Sequence, residues 1–165
     1  GEYFQRALSD RLNKFGLRLN QSKTRLIEFG RFAKSNFENK NKGKPETFDF
    51  LGFTHYCSVR KSDGGFKLGR KTIAKKMKAK LIDIKEALRA RINQDVYSQG
   101  RWLKKVVQGF YNYHAIPGNC IVLDGFKTAV SKLWLKTLKR RSQKSTINWK
   151  KLTRLIRLFI PSVTI

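Results

Sequence analysis

The chain has 165 residues, 37 of them Lys or Arg against 11 Asp or Glu, for a net charge of +26, and 40% of it is hydrophobic. That apolar content can build a core and excludes a disordered basic tail, while no run of 18 apolar residues and no leader pattern reads as a membrane span or a secretion signal. Two cysteines, Cys57 and Cys120, make no disulfide framework and fit a reducing, cytoplasmic setting.

At this length the chain is one domain or two small ones. Residues 2–15 read as an amphipathic helix, because Tyr3, Phe4, Ala7, Leu8, Leu12 and Phe15 recur three and four apart, and Gly16 closes it. Asn20-Gln21-Ser22 is a turn, and residues 25–30 read as a short strand. Residues 34–46 are polar, contain Gly43 and Pro45, and read as a loop. Residues 48–56 read as one strand buried on both faces, with Gly52 where backbone must lie close to something. Ser62-Asp63-Gly64 is a hairpin turn. At Thr72 the period changes: Ile73, Met77, Leu81, Ile84, Leu88 and Ile92 mark a long helix with a basic outer face. A second helix carries Trp102, Val106, Phe110 and Tyr113 and breaks at Pro117-Gly118; a third carries Leu123, Phe126, Val130, Leu133, Trp134 and Leu138. Asn148 can cap a short fourth helix through Trp149, Leu152, Leu155 and Ile156, which Pro161 ends. The expected fold class is therefore α+β: a helix, short antiparallel strands and a hairpin to residue 69, then an all-α bundle of three to four helices over 70–165.

The charge is uneven. Residues 1–50 hold 11 basic and 6 acidic residues, residues 51–165 hold 26 and 5. A polyanion is the natural partner of such a surface, because clustered cations release counterions when they meet phosphates. The basic residues lie on several segments rather than one helix, which argues against a membrane surface. Arg70, Lys71, Lys75, Lys76 and Lys78 crowd the start of the first long helix, and Lys139, Arg140, Arg141 and Lys144 form a second cluster. A charge run is usually a solvated face; here few acids compensate it, so phosphate contact is the competing reading. Phe110 and Tyr113 lie on the apolar stripe and read as core, whereas Tyr111 lies off it and is the candidate for stacking on a base.

Catalytic chemistry is not legible. None of the acids forms the Asp-Asp or Asp-x-Asp pairing that holds two divalent metals for phosphoryl transfer, and no phosphate-loop spacing occurs. His55 with Cys57, and His114 with Cys120, lack the close pair spacing of a zinc site, so no metal ligand is assigned.

Leu19-Asn20-Gln21-Ser22-Lys23-Thr24, followed by Phe48-Asp49-Phe50-Leu51-Gly52-Phe53, resembles the last two blocks of a reverse-transcriptase palm. Residues 109–119, then Trp134 through Arg140-Arg141-Ser142-Gln143-Lys144 and Trp149, resemble the thumb, or maturase X domain, of bacterial group II intron-encoded proteins. The resemblance covers nearly the whole chain, and its helical part is the more specific. It implies residues 1–69 as the end of a palm and 70–165 as the thumb. It implies a complete protein that copies RNA into DNA with Mg2+ held by residues outside this chain. Its partners would be its intron RNA, an RNA template–DNA primer duplex, and the remaining fingers and palm. Lys23 would support the active site, and Phe50, Leu51 and Gly52 would form the primer-grip region. This segment, lacking the catalytic Asp pair, would be inactive alone. Other roles compatible with the same motifs are a stand-alone RNA-binding splicing factor and a group II-like enzyme used in phage defence. The chain starts at Gly1 without Met and stops soon after Pro161, so both ends read as cuts through a longer protein.

Overall fold

A computed structural model describes residues 1–141 and 146–164. It is a mixed α+β structure. The described residues form α1 (Glu2–Asn13), α2 (Ala33–Asn39), β1 (Phe48–Phe50), β2 (Phe53–Val59), β3 (Phe66–Thr72), α3 (Ala74–Ala90), α4 (Val96–His114), α5 (Cys120–Lys139) and α6 (Trp149–Phe159). The strands make one antiparallel sheet in the order β1-β2-β3. Contacts divide the chain into two units: Gly1–Phe48 with Tyr56–Leu68, and Asp49–His55 with Gly69–Ile165.

In the first unit, α1 forms where the apolar spacing places it but buries none of its residues, and Tyr3, Phe4 and Leu8 stand in solvent. The strand expected at residues 25–30 does not form: this stretch has no ladder partners. Its side chains tie it to its neighbours instead. Arg25 Nη2 donates to the Thr47 carbonyl at 2.9 Å, and the Glu28 carboxylate accepts from Asn36 Nδ2 at 2.6 Å and from Lys40 Nζ at 3.0 Å. Those two donors, Lys40 foremost, hold the Glu28 carboxyl below its ordinary value. Both come from or adjoin α2, a helix lying inside the expected loop. Its apolar signal is the single pair Ala33 and Phe37, four apart and both buried, too short to read as a period.

The expected single strand over 48–56 is a hairpin. Leu51 and Gly52 both have positive φ, 45° and 83°, which is what the two central residues of a type I′ turn require. The phenylalanines on each side of the turn hide it in one apolar run. Burial on both faces fails at the tip, where Phe50 is 59% and Leu51 68% exposed. The second hairpin falls where Ser62-Asp63-Gly64 predicts: Arg60 N–H donates to the Gly65 carbonyl at 2.8 Å, and Asp63 Oδ1 accepts from Gly65 N at 3.1 Å.

In the second unit the four helices enclose one apolar core. Ile84 and Leu88 enter it from α3, Leu103, Val107 and Phe110 from α4, Leu123, Phe126, Val130, Trp134 and Leu138 from α5, and Leu152 and Phe159 from α6. Gly100 has no side chain because the Phe159 ring occupies that space. Two of the enclosed polar residues tie separate elements together. Gln99 accepts from Trp134 Nε1 at 3.0 Å and donates to the Arg91 carbonyl at 2.8 Å. Asn119, at the start of α5, accepts from Thr72 N at 3.0 Å and donates to Thr72 Oγ1 and the His114 carbonyl at 2.8 and 2.9 Å. One side chain thus fastens the end of β3, the end of α4 and the start of α5. Asp95 and Asn148 cap α4 and α6 through Ser98 N and Lys151 N, at 2.8 and 3.0 Å.

Candidate functional site

The hairpin tip, the first turn of α3 and the last turn of α4 converge in the second unit. The Gly52 carbonyl accepts from Ile73 N, just before α3, at 3.1 Å. Tyr113 OH, from α4, donates to the Leu51 carbonyl at 2.8 Å. The Tyr113 ring stacks on Phe53 with centroids 5.9 Å apart and planes 14° apart. A Cβ on Gly52 would stand 3.2 Å from Tyr113 Cε1 and 3.7 Å from Lys76 Nζ, so the close approach expected at this glycine is to Tyr113 and Lys76 of its own unit. The tip therefore presents Phe50 and Leu51 outward from a fixed base.

The two tyrosines exchange the roles the sequence assigns them. Tyr111 is 3% exposed and meets Phe126 edge-on, so it cannot be a stacking platform. Its hydroxyl has no hydrogen-bond partner among the described residues, and burial, aided by Asp124, pushes the phenol up to about 12. Tyr113, assigned to the core, is 55% exposed. The reason is that α5 and the hairpin lie on different sides of α4: Phe126 claims Tyr111, while Phe53 and Leu51 draw Tyr113 to the rim.

His114 packs between Phe110, Phe53 and Tyr113, with ring centroids 4.1, 5.5 and 4.8 Å away. Its Nδ1 lies 3.0 Å from the Phe110 carbonyl, and a carbonyl only accepts, so Nδ1 carries the proton. Burial holds the ring below its ordinary value of 6.5; the bond to Phe110 opposes this and Lys76 adds to it.

Around this convergence lie the cations. Arg70 is half-buried on β3; Lys71, Lys75, Lys76 and Lys78 are exposed. α3 carries charge on both flanks of its apolar stripe. Lys76 and Lys80 line a groove shared with Lys105, Gly109, Tyr113 and His114 of α4. Lys85 and Arg89 line a second groove, shared with Lys136 and Arg140 of α5, with Lys132 and Lys139 adjoining. Among the described residues the ion pairs are Lys34–Glu38, Lys40–Glu28 and Arg60–Asp63, so none of either groove's cations is in an ion pair, although Asp83 also lines the first groove. The sequence reading finds both ends of this surface but misses Lys80, Lys85, Arg89, Lys105, Lys132 and Lys136. The signal was present on α5: Lys132, Lys136 and Lys139 recur at i, i+4 and i+7 beside the apolar stripe.

Arg141 is exposed just beyond α5 and Lys144 falls outside the described residues. Lys23 belongs to the first unit, where its N–H closes a turn onto the Asn20 carbonyl at 3.0 Å. Among the described residues no cluster of three or more His, Cys, Asp or Glu is placed to hold a metal ion, and no helix is long and apolar enough to cross a membrane. No family model, curated protein or solved structure matches the chain.

Proposed function

We propose that this chain is the end of the palm and the thumb, or maturase X domain, of a group II intron-type reverse transcriptase, and that its work is to grip nucleic acid by the backbone. The complete enzyme would synthesise DNA on RNA with Mg2+ held by residues beyond this segment. This part would hold the template–primer duplex and bind intron RNA to assist splicing and mobility.

The observation that carries the reading is the convergence of the Phe50–Gly52 tip with the start of α3. Two hydrogen bonds to its backbone carbonyls, one from the Tyr113 hydroxyl and one from Ile73 N, fix an exposed apolar tip in the same unit as Lys75, Lys76, Lys78 and Lys80, none of which forms an ion pair among the described residues. An A-form duplex offers sugars to such a tip and phosphates to such cations, and is read by shape rather than sequence. The resemblance of Phe50-Leu51-Gly52 to a primer-grip block agrees with this.

The test is binding of the chain to a group II intron RNA, to an unrelated folded RNA of equal length, and to an RNA–DNA hybrid duplex, across a salt series. All three should bind, with a steep salt slope, and preference for the intron should persist at high salt. Neutralising Lys75 or Lys78 should lower the hybrid's slope by about one unit each, alike for all sequences. Failure to bind any of the three would remove the nucleic-acid reading. Binding without intron preference would remove the maturase role and leave the duplex grip.

A further inference from the structure

Gly109 sits in the interior of α4, where glycine costs about 1 kcal/mol relative to alanine. Packing does not require it: a Cβ built there meets nothing within 4 Å, and its φ is not in the left-handed region. It lines the groove between α3 and α4, where the bare backbone leaves room for a close approach from outside. The walls are charged. Lys76 and Lys80 stand one turn apart on α3, and Lys105 stands one turn before Gly109 on α4. Asp83 is the one carboxylate lining the groove and pairs with none of these lysines.

A second observation points to a ligand at the same place. His114, only 8% exposed, also lines the groove. With Nδ1 committed to the Phe110 carbonyl, Nε2 is an acceptor, and it has no partner among the described residues. Such an acceptor calls for a hydroxyl or amide donor.

We propose that the groove between α3 and α4 is the seat of one sugar–phosphate strand, its backbone lying against Gly109 and its phosphates flanked by Lys76, Lys80 and Lys105. The inference rests on the nucleic-acid reading above and goes beyond it by assigning a strand to one groove. The α3–α5 groove offers cations but no glycine floor, so it lacks the feature that admits a backbone at close range.

Gly109→Leu tests it cleanly. The change favours the helix, alters no charge, and fills the floor of the groove. Gly125→Leu is the control, because Gly125 is also an interior helical glycine, on α5, whose Cβ would meet nothing within 4 Å. A third variant carries Lys76→Gln, Lys80→Gln and Lys105→Gln together. Each is measured against a short oligouridylate and a short oligothymidylate over a salt series, with helix content checked by circular dichroism. Gly109→Leu and the triple variant should each weaken oligouridylate binding on the order of tenfold at low salt and flatten the slope by about two units, at roughly 0.7 per phosphate on a single strand. Gly125→Leu should bind as the parent does. Loss on the oligouridylate alone assigns the seat to RNA; loss on both assigns it to any phosphodiester strand. Parental affinity in Gly109→Leu for both oligomers overturns the assignment while leaving the duplex grip standing. If the parent chain binds neither oligomer nor the hybrid duplex, the underlying reading has failed instead.

Discussion

At Gly52 two constraints act on one residue. Its φ of 83° lies where L side chains rarely go, and a Cβ would press on Tyr113 at 3.2 Å. Gly52→Ala should therefore cost about 1–2 kcal/mol, read as a lower urea midpoint, with faster amide exchange at Phe53 and Ile73. An unchanged midpoint would mean that the tip is not held against α4 in solution. At His114 the matter is protonation. The folded chain holds this imidazole below 6.5 mainly by burial, so between the two values the unfolded chain binds more protons. Stability from this group is complete above pH 6.5 and is lost as pH falls through the lowered value. The carboxylates respond further down, Glu28 and Asp95 being held below 4.5 and 3.8. Urea midpoints at about pH 7.5 and about pH 5.5 should differ in the parent chain and converge in His114→Phe, which keeps the aromatic packing and cannot charge.

Among the elements, Asn119 is the fastening to test. Removing its side chain takes from the Thr72 amide its Asn119 acceptor, while the His114 carbonyl keeps its bond from Ile116 N, so Asn119→Ala should cost about 2 kcal/mol by chemical denaturation. A cost under about 1 kcal/mol would mean water takes the place of the amide. The helices of the bundle were legible because each repeats an apolar stripe for several turns, and the Asn148 cap because its side chain acts within three residues of itself. At Asn119 only the helix break at Pro117-Gly118 just before it was legible. Its reach to Thr72 joins positions 47 apart, and no local pattern encodes that. The β1–β2 turn was hidden for a different reason. Turn signals are Gly, Asn and Asp, and here one of the two left-handed positions is a leucine, and the pair lies between phenylalanines. The same limit explains the tyrosines: spacing says which residues share a face, but not which of two faces a neighbouring element will cover. The cationic ends of the site were visible as runs of adjacent lysines, while its grooves arise only once two helices lie side by side.

At the scale of the whole chain the two units differ in what they enclose. Among the described residues the buried hydrophobics of the first are Ala33 and Phe37, against the continuous core of four helices in the second. Amides of residues 2–47 should exchange within the shortest times of a hydrogen-exchange experiment, and those of Leu103, Val107, Phe126 and Val130 should approach the global limit. Uniform strong protection over residues 2–47 would contradict the exposed face of α1.

The enclosure of Trp134 carries a practical consequence. Its indole N–H is taken by Gln99 and its ring meets Phe159 of α6 edge-on, with centroids 6.2 Å apart. Trp102 is half-buried under the Arg91 guanidinium and Trp149 is exposed. With Trp102→Phe and Trp149→Phe, one shielded fluorophore would remain at the place where α6 closes on α4 and α5. A red shift of its emission would then time the departure of that helix, with no attached dye.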